Sequence, residues 1–368
     1  MIEDLLIINE SGALLFHWAP DVSKKESQPD LLSGFLTAID SFASVERGED
    51  IKSLKLRETQ IIFEKSYENL QKITFVITTK SEHLIELLHS IIHEVQTRFI
   101  EIFKEELNKE FDGEITKFQS FEKEISQIMI SHGMDVLAES VERIDSNDIL
   151  KSIMLIEPRS GSIFFIHAKE YVNKEKISFL IPLLLNSGHL LYQKNLNENL
   201  RWILINNVQN ENLIVEPRKK IIIVKQFKLA YNFEKEFLSL EFFKEKDKYV
   251  KKPQKLSEKF ETIKWDLKLK QIFLVDLVGK IFYQKMFDVA YDCSEYIPEA
   301  ISLLTSSKKV SEDVYNKKLF NAVIGGERIV TICLNFNNFA LILIGNVKDF
   351  NEFTYIQDTC INIFRQLK

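Results

Sequence analysis

The stretch LIINESGALLF (Leu6–Phe16) has two echoes in the same chain, LIEPRSGSIFF (Leu155–Phe165) and FLVDLVGKIFY (Phe273–Tyr283). Each is an apolar run, a short polar or turn-prone break, one glycine, and a second apolar run. A glycine between two such runs has a physical cause, because positive φ is cheap only without a Cβ. Each phrase therefore predicts a β-hairpin. Gly12, Gly161 and Gly279 are 149 and 118 residues apart, and a proline follows each one 17, 21 and 19 residues later. Proline is tolerated in the first turn of a helix, so Pro29, Pro182 and Pro298 are read as marking the start of the first helix after each hairpin.

Working outward, the third copy is punctuated best. LKQIFLVDL and IFYQKMF flank Gly279, and PEAISLLTSSKKV reads as a helix. KLFNAVI, ERIVTICLNF and FALILIGN then read as strands. Gly325-Gly326 and Asn337-Asn338 separate them as short turns tolerant of positive φ. Phe353, Ile356, Cys360, Ile363 and Leu367 recur at helical spacing. The order is β-β-α-β-β-β-α. The first copy repeats it, with a helix from Pro29 (PDLLSGFLTAIDSFASV) and a long last helix N-capped by Ser81. That helix buries Leu84, Leu88, Ile91, Ile92, Val95, Phe99, Ile102 and Phe103. The second copy repeats the order with ISFLIPLLLNSGHLL as its first helix and NFEKEFLSLEFFKEK as its last.

The expected fold class is α+β. Three modules each carry a five-stranded antiparallel sheet with helices packed on one face. The expected boundaries are 1–111 for the first module, 112–147 for a helical linker belonging to it, and 148–246 for the second module. A flexible basic linker (247–262) and the third module (263–368) follow.

Composition narrows the class. The chain has 368 residues, 45% hydrophobic and 28% charged, with 11 glycines and 7 prolines, which is globular rather than low-complexity. A net charge of −6 gives no reason to expect a nucleic-acid partner. The cysteines, Cys293, Cys333 and Cys360, form no CxxC and fall in the last quarter. They read as core thiols of a reducing compartment. The start MIEDLLIINESG has no basic n-region, and FLIPLLL (Phe179–Leu185) is far short of a bilayer span. A cytoplasmic protein is expected.

The order β-β-α-β-β-β-α, the hairpin glycine and a first helix of the type LLSGFLTAIDSF resemble the longin fold and its roadblock relatives. The likeness is closest over about Met1–Lys109, and the second and third copies share the element order and the hairpin phrase. Three longins in one chain resemble the tri-longin subunits of Rab exchange-factor complexes, and similar chains are expected in archaea related to eukaryotes. The excess of lysine (39) over arginine (9) suits such a source. The resemblance implies trafficking or small-GTPase regulation. It carries over no catalytic residue.

The residues offer little chemistry. His89 and His93 share a helix face, but a metal site needs three or four convergent ligands. There is no GxxxxGK[ST] or GxGxxG, and IGGER (Ile324–Arg328) lies between strands, where a phosphate cradle has no helix N-terminus to use. No histidine shares a module with a cysteine. The linker lysines (Lys244, Lys246, Lys248, Lys251, Lys252, Lys255 and Lys259) are diluted by Glu245 and Asp247, so peripheral contact with anionic lipid is the most they imply. No catalytic residue, cofactor or metal is expected.

Two features point to partners instead. Phe179–Leu185 with Leu190 and Leu191 makes the second copy's first helix apolar nearly all round, and such a helix is buried on more than one side. The strands after the hairpin glycines are unusually apolar for sheet edges, so at least one is expected to be paired or covered by another module or protomer. The candidate partner-binding residues are Phe16, His17, Trp18, Phe179, Leu183 and Leu184. His17 and His167 hold equivalent strand-end places. The expected function is a non-enzymatic adaptor that binds a Ras-like small GTPase, or another longin or roadblock protein, and promotes nucleotide exchange. The alternative is a structural subunit of a coat-like complex without GTPase contact.

Overall fold

The computed structural model describes residues 2–20, 28–67, 72–80, 84–146, 149–228, 253–287, 294–336, 338–350 and 352–367. The chain divides into two compact units, Met1–Ala138 and Glu139–Lys368.

The first unit contains β1 (Ile2–Asn9), β2 (Leu14–Trp18), α1 (Pro29–Arg47), β3 (Ser53–Lys55), β4 (Gln60–Ser66), β5 (Ile73–Thr79), α2 (Ile85–Ile102), the short α3 (Lys104–Leu107) and α4 (Glu122–Ser131). Helix α5 (Met134–Ser146) runs across the division. The sheet order is β2-β1-β5-β4-β3, antiparallel throughout. The second unit contains β6 (Leu150–Ile156), β7 (Ile163–Ala168), α6 (Lys174–His189), β8 (Trp202–Asn207), β9 (Glu211–Pro217), β10 (Ile222–Lys228), α7 (Pro253–Glu261), β11 (Leu269–Asp276), β12 (Ile281–Met286), α8 (Ile297–Lys309), β13 (Leu319–Gly325), β14 (Ile329–Phe336), β15 (Phe339–Asn346) and α9 (Phe353–Leu367). Its ten strands form one sheet, β12-β11-β15-β14-β13-β8-β9-β10-β6-β7. Read from each end inward, the halves of that sheet repeat the order of the first unit and meet at β8·β13.

The hairpin phrase folds the same way three times. Gly12, Gly161 and Gly279 all have positive φ (87°, 73° and 97°). A side-chain oxygen at the end of the first strand accepts from the turn: Asn9 from the N–H of Ala13, Glu157 from Arg159 and Ser160, Asp276 from Val278 and Lys280. Each hairpin also carries a register shift a few residues before its glycine, at Ile7/Ile8, Leu155/Ile156 and Leu274/Val275. A left-handed residue between first helix and third strand recurs too: Gly48 (67°), Asn197 (49°) and Asn316 (52°). Glycine and asparagine are the residues that adopt this conformation at least cost.

Helices cover both faces of each sheet, not one as the sequence led us to expect. In the first unit Val76 packs with Leu36 of α1, whereas its neighbour Phe75 meets Phe99 of α2 edge-on at 5.9 Å. In the second, α6 and α8 share a core with Ile203, Ile324 and Ile342. Helices α7 and α9 share another with Leu204, Val323 and Leu341. The reason is legible in strands such as FALILIGN, continuous apolar runs with both sides buried.

Three further expectations change. The expected basic linker contains α7, whose Phe260 is buried and stacks on Trp265. Pro182 lies inside α6 rather than at its start. Gly325 is the last residue of β13 and only Gly326 enters the turn to β14, neither with positive φ. A Cβ on Gly325 would lie 2.3 Å from the Trp202 ring, and one on Gly326 2.3 Å from Tyr192. Close aromatic approach fixes these glycines. Of the other expectations, Ser81, Asn337 and the helix NFEKEFLSLEFFKEK with the linker lysines up to Lys252 lie outside the described residues.

Helix α1 is tied down by charge. Asp40, on its inner face, binds Lys65, and Lys72 donates to the same carboxylate at 3.1 Å; Lys65 also reaches Asp50. Burial pulls the Lys65 ammonium down, but its bonds to Asp40 and Asp50 outweigh this and leave its pKa raised. Both Asp40 and Lys65 are nearly inaccessible. Removing one member strands the other. Lys65→Met is expected to destabilise the first unit by about 3 kcal/mol, the low end for a broken buried pair because Lys72 still reaches Asp40. Urea titration measures it.

Proline 182 has no N–H for the carbonyl of Ser178, four residues back, and a Cβ on Gly161 would lie 2.1 Å from that oxygen. The nearest atom to a Cβ on Gly279 is 3.9 Å away. Gly279→Ala is therefore expected to cost only the ~1–2 kcal/mol of positive φ, and Gly161→Ala clearly more. Equal destabilisation of the two variants in denaturant melts would show that the Ser178 contact does not matter.

Candidate interaction surface

Helix α6 starts where the Asn173 side chain accepts from the N–H of Lys176 at 3.1 Å. Its inner residues Ile177, Ile181, Leu184 and Leu185 are buried in the core beneath it. Its flank meets α8 through small residues. The Ser187 and Ser306 hydroxyls lie 3.1 Å apart, and Lys176, at the opposite end of α6, donates to the carbonyl of Asp313 at 2.7 Å, just beyond the end of α8. The two helices therefore run antiparallel. A Cβ on Gly188 would come within 3.0 Å of both Ile203 and Ile324 side chains, so this glycine lets α6 settle over the β8·β13 junction. The second buried side of α6 is α8.

A third side remains open. Phe179 is 67% exposed, and Leu183 and Leu190 are about half exposed. At i, i+4 and i+11 they share one helix face. Exposed Glu175 lies one turn before Phe179, and exposed Asn186 lies between Leu183 and Leu190. An aromatic and two leucines with a polar rim have the make-up of a protein contact rather than of a reaction centre.

The six candidate residues fall in two places. Phe16, His17 and Trp18 lie on β2, at the edge of the first unit's sheet. Phe16 is buried against Phe121, edge-on at 5.6 Å. His17 is hydrogen-bonded to Asp4 at 2.9 Å, and Trp18 is half-buried. His167 meets Asp145 at the same distance. In the second unit Phe179 and Leu183 are on the surface, whereas Leu184 is fully buried. Thus Phe16 and Leu184 belong to the interior. Leu190, read from the sequence as part of this apolar helix but not among the six candidates, joins the exposed stripe; sequence reasoning missed α1, where Leu31, Phe35, Phe42 and Val45 are exposed.

The apolar edges behave differently from expectation as well. β2, β7 and β12 end their sheets, and the joining of sheets uses the opposite edges, β8 and β13. The chain's own aromatic residues cover two of the edges: Phe121 lies on Phe16, and Phe260 and Trp265 lie on Tyr283.

Concave sites are modest. A cavity of about 370 Å³ has an apolar lining of Trp202, Leu204, Ile214, Phe350 and Ile356. Its charged groups are engaged: Arg201 donates to Glu327 at 3.0 Å, and Glu216 accepts from Lys225 at 3.3 Å. Among the described residues no group of three or more His, Cys, Asp or Glu side chains is placed to hold a metal ion. His93 instead bonds Glu64 at 2.8 Å. Cys333 and Cys360 are buried, and burial pushes both thiols up to about 12, far from the reactive thiolate range. No described helix is long and apolar enough to cross a membrane. A scan against protein-family models finds no match to the chain, and a search of curated proteins finds none either.

Surface and core residues of α6 should separate cleanly. Phe179→Ser is expected to change stability by no more than about 0.5 kcal/mol, as for an exposed site. Leu184→Ala should cost about 2–5 kcal/mol as a buried truncation. Chemical denaturation of the two variants reads both numbers.

Proposed function

We propose that this protein is a non-enzymatic adaptor that binds Ras-like small GTPases, with the open face of α6 as docking surface. The observation that carries this reading is the exposed Phe179, with Leu183 and Leu190, on a helix fixed over a continuous ten-stranded sheet. An aromatic anchor on a rigid platform is where binding energy concentrates. The element order repeated three times supports the likeness to longin modules, and that likeness supplies the GTPase as partner class. Binding by surface complementarity needs no catalytic side chain. Promotion of exchange would follow from tighter binding to the nucleotide-free GTPase than to the loaded forms.

Capture of purified small GTPases, each nucleotide-free, GDP-loaded and GTP-loaded, tests the reading. At least one is expected to bind, and Phe179→Ala is expected to weaken it by roughly tenfold or more. Preference for the nucleotide-free form marks an exchange factor, and preference for the GTP form marks an effector scaffold. Binding to none of them returns the protein to the alternative of a structural subunit in a trafficking or coat-like complex.

A further inference from the structure

Two glycines in the ten-stranded sheet seat aromatic rings. Gly325 of β13 and Gly345 of β15 both pair with Val330 of β14, and Gly325 also pairs with Trp202 of β8. The four residues form one row across the sheet, on the side covered by α7 and α9. Trp202 comes onto this row from one end and Phe350 from the other. A Cβ on Gly325 would lie 2.3 Å from the Trp202 ring, and one on Gly345 would lie 2.5 Å from the Phe350 ring. Glycine inside a strand often marks the close approach of another group. Here each ring is pressed against bare backbone and held there.

Both rings line the cavity of about 370 Å³. Leu204 and Ile214, paired across β8 and β9, and Ile356 of α9 complete its apolar wall. The volume falls at the small end of the roughly 300–1,000 Å³ of ligand pockets, room for one ring system. An unfilled apolar space forgoes the contacts its lining could make, so rigid rings set around one point to an occupant.

Charge at the edge says what kind of occupant. Among the described lining residues, Arg201 and Arg218 outnumber the one carboxylate, Glu216. Glu216 is already offset by Lys225 at 3.3 Å. Exposed Lys219 and Lys220 follow Arg218 in the turn from β9 to β10. Even with Arg201 paired to Glu327, the mouth is positive. A guanidinium fork matches a carboxylate in two parallel hydrogen bonds. We propose that this cavity binds a small aromatic carboxylate, its ring packed against Trp202 and Phe350 and its charge on Arg218. The site does not overlap the docking face of α6, which packs on the other side of β8 against Ile203.

Isothermal titration calorimetry of the full chain with benzoate, indole-3-acetate and naphthalene-2-carboxylate tests this. At least one is expected to bind with one-to-one stoichiometry, and its uncharged carboxamide is expected to bind roughly tenfold or more weakly. Added salt should weaken the acid and spare the amide. Arg218→Gln should bring the acid down to the level of the amide and leave the amide unchanged. The Arg218 side chain is 33% exposed, so this variant keeps the fold. Ile214→Trp, which fills the cavity from a partly buried position, should abolish binding of both with unchanged circular dichroism. A wild type that binds none of the three acids at millimolar concentration, equal affinity for acid and amide, or acid binding unaffected by Arg218→Gln would overturn the proposal. So would binding that survives in a folded Ile214→Trp variant. GTPase capture is read separately, so failure here leaves the role of α6 standing.

Discussion

The second unit depends on the antiparallel union of β8 and β13. Each strand would otherwise be a long, apolar, unpaired edge, the feature that most invites aggregation. Joining them satisfies both ladders and makes one sheet of ten strands. The seam is then sealed from several directions. Trp202 lies over Gly325, and the Tyr192 hydroxyl sits 2.8 Å from the carbonyl of Ile324 and 2.9 Å from that of Ile329. The buried Glu198 carboxylate accepts from the N–H groups of Glu327, Arg328 and Ile329 and from the Arg328 guanidinium. A carboxylate with four donors is fully compensated despite its burial. Segments leading into β8 thus lock the turn that follows β13.

Polar groups inside the seam add specificity. Asn206 donates to Asn321 at 2.8 Å across the two strands, and Asn321 donates to Cys360 of α9 at 3.2 Å. All three are buried. A one-residue slip of β8 against β13 would put the two asparagines on opposite faces and break the bond between them, leaving buried amide groups unpaired at a cost of order 1–3 kcal/mol each. The register is therefore fixed by what a slip would lose as well as by what the pairing gains. The same fixed register brings α6 and α8 together and explains why α6 is apolar on two sides while a third side stays open.

Much of this was legible in the sequence where local chemistry decides. The three hairpin phrases folded as read, since a left-handed glycine and a capping Asn, Glu or Asp are short-range devices. What stayed hidden is long-range. LLII in β1 and FALILIGN in β15 signal burial on both sides, yet only the fold says which helices supply it. Gly325 and Gly326 look like ordinary turn glycines, and their cause is the rings of Trp202 and Tyr192, residues distant in sequence. Leu184 and Leu183 are adjacent and chemically identical, and only the position of the sheet makes one core and the other surface. On α1 every turn offers apolar residues on two faces. The deciding fact is that Asp40, read as a surface residue in any sequence, points inward to Lys65.

That inversion follows from arithmetic on surfaces. The pairing surface of this architecture, one helix flank plus one strand edge, appears three times, and two of the three consume each other within the second unit. An odd number leaves one unmatched. The unmatched copy cannot keep the strand edge that serves in the interior, because an exposed β8 or β13 would pair indiscriminately. It has the shortest third strand of the three, with lysine on it, whereas β8 and β13 carry no charge along their length. A three-residue edge with a lysine on it offers little to a passing strand. A charged inner anchor at Asp40 then has a physical rationale. It holds α1 on its own sheet without using the apolar side chains, which remain available on the outer face.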